Sequence, residues 1–181
     1  MIKDNRIDYT ELNYLVNNEK FITLKVWDTS GEEAFNSLMS NLFNGADMIL
    51  LMYDITSLES FEHLDKWYNI AIEKKESYSK LCVIGNKSES EEGRKVSKEL
   101  LTEYAKRKEI KLYDEISAIT GKNINVLFCK IARELYNQIE NCGLNYEENN
   151  IGGTSSSGDF NNSRSFQLIA QKSNNSKSCS C

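Results

Sequence analysis

Three short stretches of this 181-residue chain gather side chains that can bind or react: Trp27-Asp-Thr-Ser-Gly-Glu-Glu33, Gly85-Asn-Lys-Ser-Glu89 and Glu115-Ile-Ser-Ala-Ile119. Each sets a carboxylate near small polar residues, the types that meet charged or hydrogen-bonding ligands from a loop. Singly they prove little. Asp28-Thr-Ser-Gly31 also reads as an ordinary strand-to-loop turn, and Lys87 as a solvated surface charge. A fourth feature is the pair Cys179 and Cys181 at the chain end. Two terminal thiols suit lipid attachment, with a weak metal pair as the alternative, and Ser178 excludes a C-a-a-X box. His63, the only histidine, has no triad partners in the pattern and receives no role.

The elements that must hold these loops follow from periodicity. Leu12-Asn-Tyr-Leu-Val16 and Phe21-Ile-Thr-Leu-Lys-Val-Trp27 flank the turn-favouring pair Asn17-Asn18 and predict an antiparallel hairpin. Met48-Ile-Leu-Leu-Met-Tyr53, apolar throughout, predicts a parallel strand covered on both faces. Thr56-x-x-Glu59 offers a capping box to a helix with Phe61, Leu64, Trp67 or Tyr68, and Ala71 on one face. Leu81-Cys-Val-Ile84 predicts a buried strand, and a helix from about Ser97 should turn Leu100, Leu101, Tyr104 and Ala105 inward. Leu112 to Ser117 is a weaker strand signal, and Ile124, Leu127, Phe128, Ile131, Leu135 and Ile139 mark a last helix. Cys82 and Cys129 fall on apolar faces and are expected in the core. This order implies a three-layer α/β domain over residues 1–140 whose ligand sits at the carboxyl ends of the strands, where the three stretches fall.

Residues 141–181 have a different composition. Glu147, Glu148 and Asp159 balance Arg164, Lys172 and Lys177, so the formal charge of −5 lies wholly in residues 1–140. Rich in Asn, Ser and Gly, with one small apolar patch at Phe166, Leu168 and Ile169, this segment reads as a flexible tail. The negative balance argues against a nucleic-acid-binding surface, and the lack of proline excludes PxxP ligands. The apolar run Met48 to Met52 is too short to span a bilayer, and the start lacks the apolar stretch of a secretory signal. An intracellular protein with reduced cysteines is the expectation.

Taken together and in this order, the three stretches resemble the nucleotide-site loops of small GTPases. Gly31-Glu-Glu-Ala-Phe35, Asn44-Gly-Ala-Asp47 and Tyr53-Asp-Ile-Thr-Ser-Leu-Glu-Ser-Phe61 look specifically like the Rab family, over roughly residues 7–140. The resemblance implies a doubly wound, P-loop-GTPase-like α/β fold with a mostly parallel sheet, and a site for GTP or GDP with Mg²⁺. It implies that Asp28 helps hold Mg²⁺, with Thr29 and Ser30 in the same loop. The Gly31 backbone N–H would meet the γ-phosphate, where close approach suits glycine. Glu32 takes the position of the water-orienting residue. Asn86 would brace the base-binding loop and the Lys87 stem would cover one face of guanine. Glu89 would accept from N1–H and the exocyclic amine, and Ala118 would donate its N–H to O6, with Ser117 steadying the loop. Cys179 and Cys181 would receive two geranylgeranyl groups, which anchor stably where one chain is marginal. The implied partners are geranylgeranyltransferase, Rab escort protein, GDP-dissociation inhibitor, Rab effectors and a membrane surface reached through the lipid anchors, with no nucleic acid. The Phe166 to Ile169 patch resembles the tail motif that docks on the escort and inhibitor proteins. The implied role is a switch in vesicle traffic at the cytoplasmic face of cell or organelle membranes.

The chain departs from the family in several places. Glu32 stands where Rab proteins have Gln and brings negative charge toward a polyanion, so hydrolysis is expected to be slow or absent. Glu89 replaces an Asp and is one methylene longer, which weakens guanine discrimination; Ile119 replaces a Lys. If Ile7-Asp-Tyr9 matches the first switch, Asp4 stands for its Mg²⁺-binding Thr, and the effector-facing aromatics become Tyr9, Trp27 and Leu42, with Phe43 adjacent. A phosphate loop G-x-x-x-x-G-K-[ST] should precede the hairpin. The only Gly-Lys pair, Gly121-Lys122, is followed by Asn123 and has Ile116 in the place of the first glycine. By resemblance, the strand belonging to that loop lies in mid-sheet, between the strand ending at Trp27 and Met48–Tyr53. Its absence should leave two unfilled ladders and an unstable chain. Three readings follow: a Rab-type switch whose phosphate loop is encoded upstream of Met1, a non-catalytic prenylated protein that engages escort or effector proteins, and a decayed copy.

Overall fold

The computed structural model describes residues 8–16, 20–29, 43, 45–142 and 163–172. β1 (Asp8–Val16) and β2 (Lys20–Thr29) form the expected antiparallel hairpin, with Leu12 opposite Leu24 and Tyr14 opposite Ile22. β3 (Met48–Asp54), β4 (Lys80–Asn86) and β5 (Leu112–Glu115) run parallel to one another. Between and after them come α1 (Leu58–Glu62), α2 (Leu64–Lys74), α3 (Lys98–Arg107) and α4 (Ile124–Cys142).

β3 shows why the domain has three layers. Side chains alternate between the two faces of a strand. On β3, Ile49, Leu51 and Tyr53 join one buried cluster with Leu64, Trp67 and Ala71 of α2 and Leu101, Tyr104 and Ala105 of α3. Met48 and Leu50 join the other, with Ile22 and Leu24 of β2, Cys82 and Ile84 of β4, and Leu127, Ile131 and Leu135 of α4. An unbroken apolar strand is thus covered twice, and each large aliphatic side chain buried this way contributes about 1.5–3 kcal/mol.

Several local expectations change. Ser57, not Thr56, caps α1: its side chain accepts from Ser60 N–H, while the Thr56 hydroxyl donates to Asp54 Oδ1. The helix expected behind Thr56 is interrupted at His63, which separates α1 from α2. Leu100 points outward at 40% exposure, Cys129 is exposed, and the strand expected to reach Ser117 ends at Glu115. The Asn17-Asn18 turn lies outside the described residues.

The middle of the sheet holds a strand that the periodicity did not point to. Residues read as part of a flexible segment form β6 (Ser163–Lys172). The strand order is β1-β2-β6-β3-β4-β5, with β6 parallel to both neighbours. Leu168 is registered with Val26 on one side and Met48 on the other. The two ladders expected to stand unfilled are therefore filled, at the position where the resemblance had placed the phosphate-loop strand. The physical reason is that unpaired N–H and C=O groups between two buried strands recruit an available extended segment.

Candidate functional site

Because β2, β6, β3, β4 and β5 are mutually parallel, their carboxyl ends lie along one edge. That edge carries Asp28 and Thr29 at the end of β2, Asp54 at the end of β3, Asn86 at the end of β4 and Glu115 at the end of β5. The strand order brings the second and third sequence stretches together. It sets the first apart, since β6 and β3 lie between β2 and β4.

The loops after β4 and β5 are knit by main-chain bonds. Ile116 N–H donates to Gly85 O at 2.8 Å, and Ser88 N–H donates to Ile116 O at 3.0 Å. Asn86 ties them a second time: its Oδ1 accepts from Lys87 N–H at 2.8 Å and from Ala118 N–H at 3.0 Å. Ser117 is fully buried, and its Oγ accepts from Thr120 N–H at 3.0 Å. Asn123 Nδ2 donates to Glu115 O at 2.9 Å and closes the second loop from behind. Lys87 occupies the left-handed region at φ 68°, a conformation costly for a residue with a side chain and sustained here by the bonds around it. Glu89, Ala118 and Ile119 are exposed at the rim.

Asp54 was not singled out in the sequence, yet it organises this end of the site. Its Oδ1 accepts from Thr56 N–H at 2.8 Å and from the Thr56 hydroxyl at 2.7 Å. Its Oδ2 lies 2.6 Å from the Lys87 ammonium. Burial pushes the Asp54 carboxyl up, but the Lys87 ammonium and the two Thr56 donors outweigh it and hold the group below the usual carboxylate range. Asp54-x-Thr56 is an Asx-turn pattern that sequence reasoning could have flagged. The pairing with Lys87 depends on the registration of Asp54 with Asn86 across two strands.

Behind the loops, Arg94 grips Glu115 in a two-pronged pair at 2.7 and 2.8 Å and donates to Glu91 as well. A planar guanidinium fork matches a carboxylate in this way. Gly85 is required by close packing: a Cβ there would stand 2.8 Å from the Tyr53 hydroxyl oxygen and 3.1 Å from Glu115 Cγ.

At the other end the described residues offer less. Asp28 is half-buried and Thr29 buried, registered with Ala170 and Gln171 of β6. Ser30, Gly31 and Glu32 lie outside the described residues, as do Asp4, Leu42, Cys179 and Cys181. Among the described residues there is no group of three or more His, Cys, Asp or Glu that could hold a metal ion. No helix among them is long and apolar enough to cross a membrane. Of the aromatics expected to face effectors, Tyr9 is 43% exposed and packs on Trp27 with ring centroids 4.8 Å apart. Phe43, by contrast, is fully buried in the core.

A model of the Ras family matches residues 5–137 of the chain. The chain is also 33% identical over 138 residues to the GTP-binding protein ypt4 of Schizosaccharomyces pombe, an overlap that covers 75% of this chain and 58% of that protein. It thus spans somewhat more than half the length of that relative.

Proposed function

This chain belongs to the Ras family of small GTPases as a Rab-like member, and from that membership we propose that it is a guanine-nucleotide-linked switch in membrane traffic, carrying lipid at Cys179 and Cys181. Members of this family generally use GTP or GDP with Mg²⁺. The observation that carries the proposal is that Asn86 Oδ1 accepts hydrogen bonds from both Lys87 N–H and Ala118 N–H, which joins the two loops that would receive the base. In this reading the Lys87 stem would cover one ring face, and Glu89, which is exposed, would offer its carboxylate to the base edge. The Ala118 N–H, expected to reach guanine O6, donates to Asn86 in this state, so base binding requires it to share or exchange that bond. At the phosphate end Asp28 and Thr29 would contribute to a Mg²⁺ and phosphate site, with Ser30, Gly31 and Glu32 following them in sequence. Glu32 in place of Gln makes slow turnover part of the proposal. In this reading the partners are escort protein, GDP-dissociation inhibitor, geranylgeranyltransferase and effectors that read Tyr9 and Trp27, at the cytoplasmic face of a membrane.

A second reading is favoured by one observation, the occupation by β6 of the place between β2 and β3. In it the chain is a prenylated binding protein that engages escort or effector proteins without a nucleotide cycle. Titrating the purified chain with a fluorescent guanine nucleotide, with and without Mg²⁺ and against the adenine analogue, separates the two. Mg²⁺-dependent binding at micromolar or tighter affinity, selective for guanine, supports the switch. Its absence leaves the binding-protein reading.

A further inference from the structure

β6 differs in composition from β3, its neighbour in the interior of the sheet. A parallel strand covered on both faces is normally apolar along its whole length, as Met48-Ile-Leu-Leu-Met-Tyr53 is. Ser163-Arg-Ser-Phe-Gln-Leu-Ile-Ala-Gln-Lys172 instead carries Arg164, Gln167, Gln171 and Lys172, with apolar residues concentrated from Phe166 to Ala170. Its pairing is equally uneven. All of the strand but Lys172 is registered with β2, from Phe21 opposite Ser163 to Thr29 opposite Gln171, whereas β3 pairs only with Leu168 to Lys172. The main-chain ladder on either side of β6 is one that any extended segment can supply. Covalently, the strand joins the rest of the domain through residues 143–162, among them Gly152-Gly-Thr-Ser-Ser-Ser-Gly158. Loop-closure entropy grows only slowly with such length, so a long connection of this kind does not forbid docking.

We propose that the slot between β2 and β3 is a strand-acceptor site for an extended peptide running parallel to both, and that residues 163–172 fill it in cis as an exchangeable donor strand. An empty slot leaves two rows of main-chain groups unpaired in the interior, so the strand leaves by replacement rather than by simple release. The ligand class is a main-chain-pairing segment with apolar residues in its carboxyl half, recognised by strand addition. Docking also determines where the chain end emerges. β6 points its carboxyl end toward the edge that carries Asp28, Asp54 and Asn86. Six residues separate Lys172 from Cys179, seven Cα-to-Cα steps and so a tether of at most about 25 Å. Exchange of β6 would free both cysteines from that edge.

Two measurements on the full chain test this. In the first, cysteines replace the registered pair in Lys25→Cys/Gln167→Cys, and oxidation is followed by peptide mapping. The expected result is a bridge within one chain, with no equivalent bridge in the control Lys25→Cys/Leu168→Cys, whose second thiol is displaced to the opposite face. No bridge in the registered pair, or a bridge only between two chains, overturns the assignment in cis. In the second, Leu168→Pro/Ala170→Pro removes two main-chain donors and blocks central pairing. Hydrogen exchange should then lose protection in β2 and β3, and a free peptide with the sequence of residues 163–172 should restore it where a scrambled peptide does not. Unchanged protection in the proline variant, or equal effects of the two peptides, overturns the acceptor site.

Discussion

Asn86 shows how one side chain can couple two loops that lie far apart in sequence. Its Oδ1 is the common acceptor for Lys87 and Ala118, so Asn86→Ala leaves two N–H groups without that partner. The expected cost is about 1–3 kcal/mol of stability, and guanine-nucleotide affinity should fall about tenfold or more, since each 1.4 kcal/mol lost from the base end is a factor of ten. Nucleotide titration beside a urea melt separates the two effects; unchanged affinity would remove Asn86 from the base site. Asp54 makes a different prediction, because its carboxyl is held below its ordinary value in the folded chain. A group of this kind stabilises the fold above its unfolded pKa, about 4, and loses that contribution as pH falls through the lower folded value. Asp54→Asn keeps an acceptor for Thr56 but removes the charge opposite Lys87. It should cost about 1 kcal/mol or less at neutral pH, since the pair is partly solvated. The difference between wild type and variant should therefore shrink as pH falls from the unfolded pKa through the lower folded one. Urea midpoints measured from neutral to acid pH check this, and a difference that does not shrink toward acid pH would contradict it.

At the scale of elements, what the sequence makes legible depends on how far apart the interacting residues are. The apolar run of β3, the hairpin strands β1 and β2, and most of the inner faces of α2, α3 and α4 are local patterns and appear where the periodicity placed them, Leu100 and Cys129 being the exceptions that face outward. Asn86 was legible because motif and strand end coincide, whereas Ser117 falls two residues beyond the end of β5. The Asp54 to Lys87 pair was not, because it exists only once β3 and β4 are in register. β6 was less legible still: polar positions and Ser/Asn-rich flanks resemble a tail, and the strand is created by the slot that receives it, a tertiary override of local preference. Gly85 joins the two scales. Its β4 position faces the Tyr53 ring so closely that Gly85→Ala should destabilise the domain by about 1–3 kcal/mol through overpacking. The Tyr53 hydroxyl is buried with no hydrogen-bond partner among the described residues. Tyr53→Phe in the same background removes the nearest clashing atom and should restore part of the loss. Equal urea midpoints for Gly85→Ala and wild type would refute the packing account.

For the whole molecule, the decisive quantity is the cost of an empty place in the middle of the sheet. β2 and β3 lie one strand spacing on either side of β6, hence roughly 10 Å apart. To pair directly they would have to close that gap. Such a shift would pull Ile22 and Leu24 of β2, and Met48 and Leu50 of β3, out of the buried cluster they share with α4. Without closure, the inner edges of both strands stay unpaired at about 1–3 kcal/mol for each buried group. A handful of such groups equals the whole stability of an ordinary domain, about 5–15 kcal/mol. Truncation after Cys142 should therefore yield aggregated or unfolded protein, whereas the full chain should unfold in one cooperative transition. The two tryptophans make this measurable, because Trp27 lies on β2, registered with Ile169 of β6, whereas Trp67 lies on α2, buried in the cluster against whose edge Trp27 packs. In single-tryptophan variants of the full chain, fluorescence should give the same urea midpoint for both positions, the mark of a two-state transition. If Trp27 reports an earlier transition than Trp67, β6 docks as a separate, weaker unit. If the truncated chain is soluble and unfolds at the full chain's midpoint, β6 contributes nothing to the fold.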